Sequence, residues 1–592
     1  MIPQEIQVDD KNFSEYQDVI TMVEIKQGSD DVKQQNIQEA YRILNKGLAL
    51  HNLQKYQEAI ECYDQAILIN PTYYTAWNNK GFALHHLQKY QEAIECYDKA
   101  ILINPKSDAG WNNKGFSLNN LKKYVKAIEC CDNAIQINSQ NNSAWSNKGF
   151  ALDKLKKYQE AIECYDKVIQ INPKCDVALS DKGLALYNLQ KYQEAIEQCE
   201  KAIQINPQNN SAWNHKGLAL DKLQKYQEAI ECYDQAIQIN SKYDIAWTNK
   251  GLALNTLKKY KEAFGCYDKA IALNPKNDTT WINAGQALYN LQKYQEAIGC
   301  YDKAILIDPI NYPALNNKGF ALDKLQKYQE AIECYDKAIS INPKYDVAWN
   351  NKSLALINLQ KYQEAIECCD QAILINPQNN SAWNHKGLAL GKLQQYQLAF
   401  ECFDKVILIN PKNDFAWNNK GLILHNLQKY QKAIECYEKV IQINPKFHSV
   451  WNNKGLSLFE LQKYKQAIEC YEKAISFYPK HDSTWVNKGK ALHKLQKYKE
   501  AIECYEKAIQ INPKQDKAWI NKGVALHNQK QYKEAILCYD EALSINFNPI
   551  NLRFKADSLL ELGEKNEAKQ FYMSALEKGL NQEYIEKQLA KL

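Results

Sequence analysis

The sequence predicts an all-α protein built from tandem helical hairpins of 34 residues. Three observations predict it. The twelve tryptophans stand at 77, 111, 145, 213, 247, 281, 349, 383, 417, 451, 485 and 519, so every interval is 34 or 68 residues. Whole segments return at that period: WNNKGFALHHLQKYQEAIECYDKAILINP, from Trp77 to Pro105, reappears as WNNKGLILHNLQKYQKAIECYEKVIQINP, from Trp417 to Pro445. Within each copy the apolar residues recur at three- and four-residue spacing, as one face of a helix requires. A period of this length is the mark of stacked repeats that share one core. With 45% apolar and 24% charged residues, the chain can bury such a core.

The elements follow in chain order. Residues 1–39 form an acidic leading segment; the first 34 residues carry eight acids and three lysines. There Phe13, Tyr16, Ile20 and Val23 follow 3-4-3 spacing and predict a short amphipathic helix. The opening MIPQEIQVDD lacks an apolar core, so no signal peptide is expected. No apolar run approaches membrane-spanning length, so no membrane insertion is expected. Fifteen repeats in register occupy 40–549, with Ile43, Leu179 and Leu315 in the tryptophan slot where Trp is missing. A degenerate sixteenth fills 550–580, with Leu552 in that slot and Ala568 and Ala575 in small-residue slots. Residues 581–592, with Tyr584, Ile585 and Leu589, read as a capping helix.

Within the second repeat, Trp77, Lys80, Gly81, Leu84 and Leu87 share a face of a first helix, here helix A. Ala93, Ile94, Tyr97, Ala100, Ile101 and Leu102 trace a second, helix B. Gly81 and Ala93 let the two helices approach closely. Pro105 lacks an amide hydrogen and ends helix B; Ser139, Ser241 and Phe547 replace it in three repeats. Asp108, Asp176 and Asp244 are placed to cap the following helix A. SAWNHKGLAL at Ser211 and Ser381, and GFALDKL at Gly149 and Gly319, recur 170 residues apart, which implies duplication of a five-repeat block.

A large residue at position 4, small residues at 8, 20 and 27, an aromatic at 24 and Pro at 32 resemble the tetratricopeptide repeat family, over residues 40–549. The resemblance implies a right-handed α-solenoid superhelix whose A helices line a concave groove through positions 2, 5, 6, 9, 12 and 13. It implies a non-enzymatic scaffold that binds an extended or helical segment of a partner protein, without a cofactor. Two further readings stay open. One is a structural spacer in a larger assembly, a cytoskeletal one included, that uses its convex surface and ends. The other is a regulatory subunit of a separate glycosyltransferase.

Two groove columns are the candidate peptide site. Position 6 is asparagine at Asn45, Asn79, Asn113, Asn147, Asn249, Asn283, Asn317, Asn351, Asn419, Asn453, Asn487 and Asn521, interrupted by Asp181, His215 and His385. An asparagine amide both donates and accepts, so a row of them suits the backbone of an extended chain. Each bond contributes about 0.5–1.5 kcal/mol. The row resembles the asparagine ladder in the repeat arm of O-linked N-acetylglucosamine transferases. The alternative is that these amides bond neighbouring helices. Position 9 is an apolar stripe: Leu48, Phe82, Phe116, Phe150, Leu184, Leu218, Leu252, Phe320, Leu354, Leu388, Leu422 and Leu456. It suits apolar side chains of a bound segment, unless neighbouring helices cover it.

The other columns read as structural. Lysine fills position 7 in fourteen repeats and an acid fills position 25 in all fifteen, so the two are expected to pair. With a net charge of +5, no nucleic-acid partner is expected. Fourteen of the 18 cysteines occupy position 23. Stacked helices lie about 10 Å apart, beyond the roughly 7 Å that a disulfide tolerates. Buried, reduced thiols in a cytoplasmic compartment are expected. No CxxC or clustered histidine suggests a metal, and no phosphate loop or nucleophile elbow suggests catalysis. His51, His85, His425, His493 and His527 share position 12 and read as polar contacts at the groove edge. A clamp for a terminal carboxylate is disfavoured, because Lys517 is the lone basic residue at position 2 of the regular repeats.

Overall fold

The structure, a computed structural model, describes residues 30–580 and 582–590. The predicted amphipathic helix around Phe13 and Val23 lies outside them. Among the described residues there are 33 helices and no strand. The chain divides into two compact halves, Met1–Ile307 and Asp308–Leu592. Each half is a run of antiparallel helical hairpins, an α-solenoid.

In a regular repeat helix A has 13 residues and helix B has 14, as in Tyr74–His86 and Tyr90–Ile103. The first helix is longer, Asp30–Asn52. It begins upstream of Ala40, where exposed residues 34–38 contain no helix breaker. The turn from A to B uses a device that residue types do not announce. Its position 15 is left-handed in every regular repeat, with Gln88 at φ 60°, yet it is always Gln or Lys. The geometry closes helix A: the Gln88 amide donates to the His85 carbonyl at 2.8 Å and the Lys89 amide to Leu84 at 2.9 Å. In the sixteenth repeat Gly563, φ 92°, takes this place.

The aspartates expected to cap helix A do something else. Asp108, Asp176 and Asp244 are the first helical residues, one position too late to cap. The cap before Asp108 is Ser107, whose hydroxyl accepts from the Gly110 amide at 3.1 Å. Cys175 and Tyr243 precede the other two, and neither makes a side-chain cap. The Asp108 carboxylate instead accepts from the Asn138 and Asn141 amides at 2.8 and 3.0 Å, tying the start of helix A to the turn after helix B. Asp176 and Asp244 do likewise with Asn206 and Asn274.

Tryptophan fixes the chain just beyond the end of helix B. All twelve indole N–H groups donate to the carbonyl of residue 32 of the preceding repeat, at 2.9–3.2 Å. The acceptors include Ser139 and Ser241, so the clamp works where proline is absent. The core passes from repeat to repeat: Leu44, Tyr63 and Ala66 pack in one cluster with Ala76, Ala83 and Tyr97. A single hairpin therefore leaves its apolar face incomplete. At the C-terminal end Ile585, on the helix Gln582–Leu589, is buried against Leu552, Ala568 and Tyr572.

Candidate polypeptide-binding face

The asparagine–asparagine side-chain contacts between successive A helices follow an offset of 35 residues. Position 6 reaches back to position 5 of the preceding repeat. Asn113 donates to Asn78, Asn147 to Asn112, Asn249 to Asn214, Asn351 to Asn316, Asn453 to Asn418 and Asn487 to Asn452, at 2.9–3.3 Å. Six of the twelve ladder amides thus join neighbouring helices, and each has an asparagine at position 5 to receive it. Asn79 follows Leu44 and Asn283 follows Thr248, and neither makes this bond; the Asn283 Nδ2 is buried without a partner. Asn521 turns to its own helix and donates to the Lys517 carbonyl. Of the row, Asn45 is exposed, Asn147 is buried, and Asn317, Asn419 and the others are half-buried.

The apolar stripe runs beside this row. Leu48, Phe82, Phe116, Phe150, Leu184 and Leu218 in the first half are half-buried, and Leu252 is 39% exposed. Phe320, Leu354, Leu388, Leu422 and Leu456 in the second half are half-buried as well. Gln286 and Lys490 interrupt the column. A second polar row, at positions 12 and 13, borders the stripe on its other side with the same offset, as in Asn528 with His493 at 2.8 Å. Position-12 histidines also reach forward to serine: His85 to Ser117, His425 to Ser457 and His527 to Ser558, at 2.7–2.8 Å. Sequence reasoning missed these pairs although it held the signal. In the regular repeats serine occurs at position 10 only at Ser117 and Ser457, each just after a repeat with such a histidine. His51 stacks on Phe82 and His85 on Phe116, with ring centroids 5.2 and 4.4 Å apart.

Burial sets the charge of this face. It pushes His51, His85, His215 and His385 down to about 4, so all four are neutral at pH 7. Burial, with Asp153 nearby, pushes Asp181 up to about 7. Asp221 and Asp323 rise to about 6 through burial, although the Tyr233 and Tyr335 hydroxyls donate to them. The folded Asp181 holds a proton up to about pH 7 that the unfolded chain releases near pH 4. Stability therefore falls as pH rises through that window. The histidines act oppositely, losing stability as pH falls from about 6.5 to 4. Asp181→Asn restores the asparagine of the row and removes the titrating carboxylate while leaving the histidines in place. Its stabilising effect is expected to grow from pH 5 to pH 8, read by amide hydrogen exchange in the helix Asp176–Asn188. An equal effect at both pH values would contradict this.

The lysine column does not offer a free cationic track. Twelve position-7 lysines pair with the position-25 acid of the preceding repeat, from Lys80 with Asp64 to Lys522 with Glu506. Each of these stems is largely covered while its ammonium reaches the surface. The cysteines are free, and all but half-buried Cys175 are buried. Burial pushes the Cys96 and Cys436 thiols up to about 11, which leaves them unreactive. Among the described residues no group of three His, Cys, Asp or Glu side chains is placed to hold a metal, and no helix is long and apolar enough to cross a membrane.

Fold and face together define a helical-repeat array, with one column of apolar side chains between two polar rows. The tetratricopeptide repeat profile matches residues 40–73, 74–107, 109–141, 143–175, 177–209, 211–243, 245–277, 279–311, 312–345, 381–413, 415–447, 448–481, 483–515 and 516–549. Two further profiles of that repeat match 334–367 and 554–577. The protein prenyltransferase alpha subunit repeat matches 362–393. The chain belongs to the tetratricopeptide repeat family. A comparison with curated proteins finds no match. Among solved structures it is similar to the APC/C hetero-tetramer Cut9-Hcn1, at 16% identity and TM-score 0.43, over 84% of this chain and 99% of that chain. It is also similar to YrrB, described as a TPR protein with an unusual peptide-binding site, at 22% identity and TM-score 0.28, over 32% of this chain and 96% of that chain.

Proposed function

We propose that this protein is an interaction scaffold that holds a segment of a partner protein in a groove along its A helices. The observation that carries the reading is the position-9 stripe. It stays half-exposed from Phe82 to Leu252 and again from Phe320 to Leu456. A row of apolar side chains left partly open over successive repeats buries further area when a partner covers it. The flanking amides divide into two roles. Six fix neighbouring A helices to one another, which holds the stripe in place before a partner arrives and lowers the ordering cost of binding. Asn45 and Asn79 make no such bond, and their amides suit the bound backbone.

Exposed leucines at position 29 of helix B favour a second reading, contacts through the outer face. Leu68, Leu102, Leu306, Leu374 and Leu408 are 75–82% exposed. A photocrosslinking experiment separates the two. A peptide selected from a random library for binding the full chain is irradiated with protein carrying benzoylphenylalanine at Phe116 or, separately, at Leu102. Groove binding predicts a crosslink from position 116 and none from 102. The reverse result would assign the contact to the outer face and support the spacer reading.

A further inference from the structure

The outer face holds a cation slot that is filled in repeat after repeat and left vacant in one. Where it is filled, the position-7 lysine ammonium lies between two groups. Lys250 is 2.5 Å from the Asp234 carboxylate and 6.0 Å from the centre of the Trp247 ring. Lys352 repeats this with Asp336 at 2.6 Å and Trp349 at 5.8 Å. In the eighth repeat, 278–311, Ala284 stands in place of the lysine. The other two parts of the slot remain, Asp268 on the helix Tyr260–Leu273 and Trp281 on the helix Asp278–Asn290. Asp268 is exposed, and among the described residues no side chain pairs with it.

The occupied copy that matches it best is at Lys420. That ammonium pairs with Asp404 and lies 5.3 Å from the Trp417 ring and 4.7 Å from the Phe400 ring. Phe400 occupies position 21, where every other regular repeat but one has isoleucine; the exception is Phe264. Phe264, Asp268 and Trp281 are therefore the counterparts of Phe400, Asp404 and Trp417, with the lysine subtracted. Two aromatic rings and a carboxylate form a strong pattern for an ammonium group.

The approach to this slot is also cleared. In the cleft between the helices Tyr464–Phe477 and Tyr498–Ile511, the lining includes Glu469 and Glu503, both at position 22, beside Glu472, Trp485 and Lys488. Around the vacant slot both position-22 residues are glycine, Gly265 and Gly299, the only two glycines in that column. A Cβ at either would meet nothing within 4 Å. A glycine inside a helix costs roughly 0.5–1 kcal/mol against alanine, and neither position is crowded enough to demand one. Glycine does allow another backbone to come close.

We infer that Phe264, Asp268 and Trp281 form a docking slot for a lysine side chain presented by a partner protein, whose backbone passes over Gly265 and Gly299. The Ala284 methyl is fully covered, so the guest ammonium reaches the slot from outside rather than along a stem from within. Lysine is the guest because each filled copy holds a primary ammonium on a four-carbon chain. The slot lies on the B-helix side, away from the position-9 stripe, so it stands independently of the groove reading.

The test uses the full chain with its twelve tryptophans labelled at the indole nitrogen. The Trp281 signal is assigned by its absence in Trp281→Phe. The probes are acetyl-Gly-Lys-Gly-amide and its norleucine counterpart at millimolar concentration. The lysine peptide is expected to shift the Trp281 signal saturably and the norleucine peptide to leave it unmoved. Ala284→Lys supplies the ammonium internally and is expected to abolish the shift. Asp268→Asn, at an exposed site, is expected to weaken it by about tenfold or more. The eleven other indole signals report whether each variant folds. The slot is overturned if both peptides act alike, if all tryptophans shift together, if no saturable shift appears, or if Ala284→Lys responds as the parent does.

Discussion

Gly251→Val is expected to unfold its repeat locally, at a cost of about 3 kcal/mol or more, the upper range of core overpacking. A Cβ at Gly251 would lie 2.5 Å from Tyr267 Cε1 and 2.8 Å from Cδ1. Tyr267 is fully buried, so the ring has nowhere to retreat. The same contact recurs through the array, at 2.5 Å for Gly217 with Tyr233 and for Gly421 with Tyr437. The sequence itself shows how the constraint can be released. In the one regular repeat with serine at position 8, Ser353, the facing residue is Cys369 instead of an aromatic ring. Gly251→Ser paired with Tyr267→Cys is therefore expected to recover most of the stability that Gly251→Ser loses alone. Amide hydrogen exchange in the helices Asp244–Thr256 and Tyr260–Leu273 reads the local effect, because a repeat array need not unfold as one unit. Unchanged exchange in Gly251→Val would contradict the close-approach argument.

The hairpins were legible because their causes are periodic: Trp77, Gly81, Ala93 and Tyr97 recur at fixed spacing and can serve only one helix pair. Features that depend on one residue's offset were not. Asp108 has the residue type of a cap, but helix A starts at Asp108 itself, so Ser107 caps and the carboxylate turns to Asn138 and Asn141. The left-handed turn residue Gln88 carries no sign of its conformation, since glutamine has no preference for it. The amide row was visible as a column, but its use depends on the 35-residue offset that brings Asn147 beside Asn112. Period alone gives 34 and leaves that register open. The lysine column was readable because an acid stands opposite at every step, and the alanine that breaks it, Ala284, became informative only once the filled slots had geometry.

The groove reading depends most on the stripe. Phe82, Phe116 and Phe150 stand in three consecutive repeats and are half-buried before any partner arrives. Covering what remains of each ring contributes about 1 kcal/mol, roughly half the value for burying a whole phenylalanine. Losing three gives about 3 kcal/mol, or about a hundredfold in affinity. Leu68 and Leu102, on the outer helices, supply the control. The deciding measurement is the affinity of a library-selected peptide for three full-length proteins: the parent, Phe82→Ser/Phe116→Ser/Phe150→Ser, and Leu68→Ser/Leu102→Ser. Circular dichroism confirms that each is folded. Groove binding predicts about a hundredfold loss for the stripe variant and parent-like affinity for the outer one. A folded stripe variant that binds like the parent, or an outer variant that loses binding, would contradict it.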